Sequence, residues 1–273
     1  MQKPQKSQTS KRHRVSLAKA TGWILLSLGA AALAGSILYS SQISAFIGLG
    51  LIFWGAILTY IQTEEYIKQN LLDATVLPPL ITLNQTLQEL DYKGKAIYLP
   101  PKYFKNPETT KAYIPKQKEG KLPTPEQIQE QENKLFIENP QGMLITPPGA
   151  ELTKLFEKTL ETNFTRADLQ YLQQNLPKLF IENLEIAQNF EIETENNKVH
   201  VKIENSTYKN LAKLNTQLSN LYTSLGCPLS SAIASALAKA TGKPIIIQNQ
   251  HITEDGKDIE IEYDIIQEEP TEK

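Results

Sequence analysis

Hydrophobic and polar positions divide this chain sharply. From Thr21 to Thr63 no side chain is charged, and Leu, Ile, Ala, Gly, Phe and Trp dominate. Inside this stretch, Trp23 to Tyr39 and Ile43 to Ile61 are apolar on every helical face, with only Ser40, Ser41 and Gln42 between them. A bilayer core of about 30 Å needs about 20 helical residues at ~1.5 Å each. The pattern predicts a transmembrane helical hairpin over residues 21–63, with spans at about 22–40 and 43–62. Ala18 and Ala20 can lengthen the first span while Lys19 snorkels to the headgroups. The second span follows at once, which argues against cleavage of the first as a signal peptide.

Beyond Thr63 the apolar positions become periodic. Residues 64–101 read as juxtamembrane helices and a strand. A first helix runs from Glu64 to about Val76, Pro78 and Pro79 break it, and Leu80, Leu83, Leu87 and Leu90 mark a second. Lys95 to Leu99 is a short strand. Residues 102–133, rich in Lys, Gln, Glu, Pro and Thr, are expected to form a flexible excursion, with a strand at Ala112–Ile114 and a short helix at Pro125–Glu132. Residues 134–187 hold a hairpin and helices. Asn139-Pro140-Gln141-Gly142 suits a type I turn. Leu152, Leu155, Phe156 and Leu160 form one helical stripe, and Thr165 with Asp168 suggests a capping box for the next. Pro177 restarts the chain.

Residues 188–267 give the clearest signal. Phe190, Ile192 and Thr194 alternate with polar positions, as do Val199, Val201 and Ile203, on either side of Asn196-Asn197-Lys198. A long helix capped at Ser206 or Thr207 carries Leu211, Leu214, Leu218, Leu221 and Leu225 and stops at Gly226. A small-residue helix from Pro228 to Thr241 follows, closed by Gly242. Pro244–Gln248 and Ile259–Ile266 are strands around Glu254-Asp255-Gly256-Lys257, and residues 268–273 are an acidic tail. The expected class is α+β, an antiparallel sheet with packed helices behind the N-terminal hairpin. The pattern leaves open whether residues 96–187 and 188–267 form one domain or two.

Charge adds a direction. Net charge is −2 over 273 residues, yet residues 1–20 hold Lys3, Lys6, Lys11, Arg12, Arg14 and Lys19 without an acid. The rest is therefore acidic, which argues against nucleic acid as a partner. A basic flank stays cytoplasmic, so a two-span protein is expected with both termini in the cytoplasm. Trp23 and Tyr60 then suit the cytoplasmic interface. Ser27, Ala31 and Gly35, like Ser44 and Gly48, recur every four residues; such stripes let helices pack closely, within the hairpin or between copies. The spans contain no ionisable group of the kind that marks an ion path.

Candidate chemistry is sparse. The single cysteine, Cys227, lies in Gly226-Cys227-Pro228-Leu229-Ser230-Ser231 at a predicted helix start. A thiol there can be activated, and helix-start amides with Ser230 and Ser231 can hold an anion. His200 and His251, both on predicted strands, are the only bases available to such a nucleophile in this part of the chain. The alternative is a buried thiol beside a helix stop. The acids form no recognisable pair, no metal-ligand spacing or nucleotide signature occurs, and no cofactor is expected. Glycosylation sequons at Asn84, Asn163 and Asn205 would be silent in the cytoplasm.

Two stretches resemble a known group. Gly142-Met143-Leu144-Ile145-Thr146-Pro147-Pro148-Gly149, and Gly226 to Pro244 with its Cys-Pro-Leu-Ser-Ser-Ala-Ile-Ala run, resemble uncharacterised prokaryotic, archaeal-type, membrane-anchored proteins of unknown function. The resemblance covers most of the chain and implies no activity. Val199 to Ile266 is also similar in element order to 4-vinyl-reductase-like domains, which implies a small hydrophobic ligand; the cysteines those domains carry near their closing strands are absent here. The combined expectation is a membrane-anchored, non-enzymatic binding or regulatory module facing the cytoplasm, with the bilayer and a protein or small hydrophobic ligand as partners. The alternatives are a membrane-bound enzyme using Cys227 and a structural subunit of a membrane complex.

Overall fold

A computed structural model describes residues 12–60, 69–118, 120–208 and 217–267. The chain divides into two compact units, Met1–Leu72 and Asp73–Lys273.

The first unit is a helical hairpin of α1 (Arg12–Leu38) and α2 (Gln42–Tyr60), joined by a tight turn at Ser40 with φ 47°. Its contact does not use the predicted four-residue stripe of α1. Ser27 and Ala31 stay exposed, and a Cβ on Gly35 would touch nothing within 4 Å. Gly22, Gly29 and Ser36, spaced by seven, are buried instead, opposite Gly48 and Gly55, also spaced by seven. A Cβ on Gly48 would stand 2.9 Å from the Gly29 carbonyl, and one on Gly55 2.9 Å from the Gly22 carbonyl. A seven-residue repeat holds one seam between supercoiled helices, and at its four glycines only hydrogen fits. The large apolar side chains point outward. Residues 61–62 of the predicted second span, and residue 63 of the predicted hairpin, lie outside the described residues.

The second unit is an α+β domain built on one eight-stranded antiparallel sheet, in the order β3-β4-β2-β1-β7-β8-β6-β5. The strands are β1 (Ile97–Tyr98), β2 (Ala112–Pro115), β3 (Phe136–Ile137), β4 (Gly142–Ile145), β5 (Asn189–Glu195), β6 (Lys198–Glu204), β7 (Ile245–Ile252) and β8 (Ile259–Ile265). Four strands from the first part of the domain meet four from the second across the β1–β7 pair, where Ile97 faces Ile246 and Tyr98 faces Ile245.

Helix α3 (Gln69–Glu89) runs through Pro78 and Pro79, where the sequence suggested a break. Leu77, Leu80, Leu83 and Leu87 all pack on the main core, and this burial outweighs the missing backbone donors. The segment read as a flexible excursion, 102–133, holds a 3₁₀ turn, the central strand β2 and helix α4 (Pro125–Gln131). Thr124 caps α4 with a capping box to Gln127. Tyr103, Phe104, Tyr113 and Ile128 from this segment bury with Ile97, Leu99, Ile137 and Leu144 in a second apolar cluster. The polar composition hid these few large side chains. The Asn139–Pro140 peptide in the β3–β4 turn is cis.

The main core lies on the other face of the sheet, under α5 (Ala150–Thr159), α6 (Leu169–Lys178), α7 (Ser219–Leu225) and α8 (Pro228–Thr241). Asp168, not Thr165, caps α6, by accepting from the Tyr171 amide at 2.7 Å. Pro177 lies inside α6, and a π turn at Leu179–Asn183 follows. Of the predicted long helix ending at Leu225, residues 209–216 lie outside the described residues; α7 is its last part. Ser219–Thr241 is long and apolar enough to cross a membrane, but 89% of it is buried in this domain, and Gly226 at φ 70° splits it. It is core.

Candidate functional site

Cys227 sits between α7 and α8 and caps α8 with its own sulfur. Sγ accepts from the Ser230 amide at 3.4 Å, and Pro228 fills the first helical position. Gly226 permits the turn; a Cβ there would meet Ser230 Oγ at 2.3 Å and Ile247 Cδ1 at 2.6 Å. The Cys227 amide donates to Gln250 Oε1 at 3.0 Å. Ser230 Oγ lies 2.9 Å from the Cys227 carbonyl and against the same Gln250 oxygen. Ser231 Oγ accepts from the Gly149 amide at 3.0 Å. The helix-start groups proposed for an anion are thus bonded to protein atoms.

The thiol is fully buried. Burial pushes it above its ordinary pKa, against smaller lowering by Ser230. Tyr98, Tyr222 and Tyr263 are raised by burial too, and each lies close enough to feel the charge a thiolate would carry. Tyr263 Oη donates to the Ser230 carbonyl at 3.1 Å. This surrounding favours a neutral, inaccessible sulfur.

The two histidines are on the far side of the sheet. On β6, Val199, Val201 and Ile203 point into the core while His200 is exposed, and His251 on β7 is exposed as well. They belong to rows that only strand register brings together. Glu193, His200, Glu262 and Asn249 stand side by side across four strands, as do Glu191, Lys202, Glu260 and His251. Lys198 pairs with Glu262 at 2.7 Å. A shallow groove of about 360 Å³ lies along these rows. Among the described residues no group of three His, Cys, Asp or Glu side chains is placed to hold a metal ion.

A larger basin, of about 550 Å³, opens at the end of β1. The register pair Ile97 and Ile246 belongs to its wall, with Tyr92 and Pro115, whereas Thr223 and Asn220 of α7 are polar. Lys93, Lys95 and Lys118 also line it, and none of its described lining residues is acidic. Lys95 Nζ donates to the backbone carbonyl and to Oε1 of Gln248, the latter at 3.0 Å. Gln248 Nε2 in turn donates to Asp264 Oδ2 at 2.7 Å. Gly94 and Gly120 both approach Pro115; a Cβ on Gly94 would lie 2.4 Å from the Pro115 carbonyl, and one on Gly120 2.2 Å from the Pro115 side chain. Sequence reasoning passed over this place, since its lysines lie in two separate loops with no periodic signal.

Residues 2–264 match the family model described as a domain of unknown function (DUF7982), and the chain belongs to that family. No curated protein and no solved structure matches. The family brings a boundary for most of the chain and no activity.

Proposed function

We propose that this member of a family of unknown function is a membrane tether carrying a non-enzymatic binding module on the cytoplasmic side. The observation that carries the tether is the α1–α2 hairpin. Ala20–Leu38 and Gln42–Tyr60 are each 19 residues of apolar helix. They pack through glycines and turn Ile37, Phe46 and Phe53 outward, at 80%, 79% and 60% exposure. So much apolar surface is unstable in water and stable in lipid. The basic flank of residues 1–20 supports an inward N-terminus, and an even number of spans returns the domain to the same side. The buried thiol and the bonded Ser230 and Ser231 support a structural role for the Cys227 turn over the enzyme reading. Binding of a partner by the module rests on its open basin, a preformed concavity of a size that suits a small molecule.

Two measurements test this. Alkaline carbonate should leave the chain in the membrane pellet. A C-terminal tag should resist protease in intact cells and be digested in inverted vesicles. Carbonate-soluble protein removes the tether; the opposite digestion pattern reverses the orientation.

A further inference from the structure

We propose that the basin at the end of β1 is a binding site for a small phosphate-bearing molecule with an apolar body. Lys93, Lys95 and Lys118 all line one concavity, and none of its described lining residues carries a carboxylate. Lys93 is paired with Asp91 at 3.0 Å, an exposed contact that an incoming anion can replace at little cost. Lys95 is held by neutral oxygens of Gln248. Its orientation is fixed while its charge stays uncompensated by its immediate partners.

Lysine is a point-charge donor suited to phosphate. Three of them, with the Thr223 hydroxyl on the same wall, can meet the several oxygens of one phosphate group. The remaining lining chooses the rest of the ligand. Ile97, Ile246 and Tyr92 form an apolar wall, and burial pushes the Tyr92 hydroxyl above its ordinary pKa. A phosphate carried on a ring or short hydrocarbon satisfies both parts. The volume of about 550 Å³ holds such a molecule and excludes a folded macromolecule. The Lys93 amide donates to the Lys116 carbonyl at 3.2 Å, which ties the two lysine-bearing loops together.

The test uses the full chain in zwitterionic nanodiscs and phenyl phosphate as probe, followed by calorimetry. Binding with Kd near or below about 1 mM is expected, weakened by salt and at least about tenfold by Lys95→Met or Lys118→Met. Phenol, which lacks the anion, should not bind. A second readout avoids the variants altogether: in the wild-type chain, phenyl phosphate should protect Lys95 and Lys118 from acetylation while leaving the exposed Lys154 reactive. Discs containing phosphatidylglycerol separate two sources of the same chemistry. If the anionic lipid competes with phenyl phosphate, the natural ligand is a headgroup; if it does not, a soluble phosphate ester. Absence of heat up to about 10 mM, unchanged binding in both variants, or equal protection of all three lysines would overturn the proposal.

Discussion

Lys239 Nζ lies 2.9 Å from Glu157 Oε2, tying the last turn of α8 to α5 with side chains only 6% and 15% exposed. The cation also sits where the α8 dipole favours it, and Glu157 Oε1 accepts from the Phe164 amide at 3.0 Å. One carboxylate thus holds α8 and the 3₁₀ turn at Phe164–Arg166 in place. Lys239→Met leaves that half-buried carboxylate without its cation and should cost about 3 kcal/mol. The double variant Lys239→Met/Glu157→Gln, in which neither partner is charged, should recover a good part of the loss. Thermal unfolding followed by far-ultraviolet circular dichroism measures both.

Gly149 predicts a second sensitivity. A Cβ there would stand 2.1 Å from the Ala232 amide nitrogen, which is backbone and cannot step aside. Gly149→Ala should therefore destabilise the domain by about 2 kcal/mol through overpacking. Gly242→Ala meets no neighbour and is strained only by its left-handed φ of 62°, so its effect should be smaller, about 1 kcal/mol. The ranking of the two variants by melting temperature is the check.

The thiol of Cys227 makes a pH prediction. Its folded pKa is raised above the ordinary 9.0 by burial, so the folded state holds the proton more tightly than the unfolded state. The stability this contributes is fully present below pH 9.0 and is lost as pH rises through that value toward the folded pKa. Tyr98, Tyr222 and Tyr263, raised from 10.0, extend the loss further up the alkaline range. Iodoacetamide should leave Cys227 unlabelled in the folded chain at neutral pH and label it fully in denaturant. Rapid labelling of folded protein would return the thiol to the list of nucleophiles.

In the hairpin, Gly29→Leu or Gly48→Leu places a branched side chain where backbones approach, since even a Cβ on Gly29 would lie 2.9 Å from the Gly48 carbonyl. Either change should separate α1 from α2. Gly35→Leu and Gly50→Leu, where nothing lies within 4 Å, should leave the pair intact. Spin labels at the exposed Trp23 and Tyr60, at the open end of the hairpin, read the separation by pulsed electron resonance.

The parts visible in the sequence share one property: their signal is local. Alternation over Val199, Val201 and Ile203 gave β6, and Pro228 with Gly242 bounded α8, because each depends on neighbours along the chain. The α1–α2 seam is not fixed by the sequence pattern, because spacing by four and spacing by seven both occur among small residues, and only the partner helix selects Gly22 and Gly29. The segment 102–133 is hard to read for a different reason. Tyr113 is fully buried in β2 between β1 and β4, but its burial depends on strands that lie outside the segment. The lysine basin was illegible for the same reason: Lys95 and Lys118 converge only after β1 and β2 have paired. Cys227 was conspicuous in the sequence because it is unique and precedes a proline; its saturated hydrogen bonds could be seen only in three dimensions.

The β1–β7 seam has a consequence for how the protein is made. Translation delivers β1 to β4 well before β7 exists, yet Ile97 and Tyr98 find their second partners only in Ile246 and Ile245. Until then β1 presents an open strand edge beside Ala96 and Leu99, both buried in the finished domain. An apolar edge of this kind invites pairing with the wrong chain. Under the proposed tether, a ribosome that had already delivered α1 and α2 to a bilayer would hold the nascent half-sheet on a short leash, apart from its siblings, until the missing strand arrives.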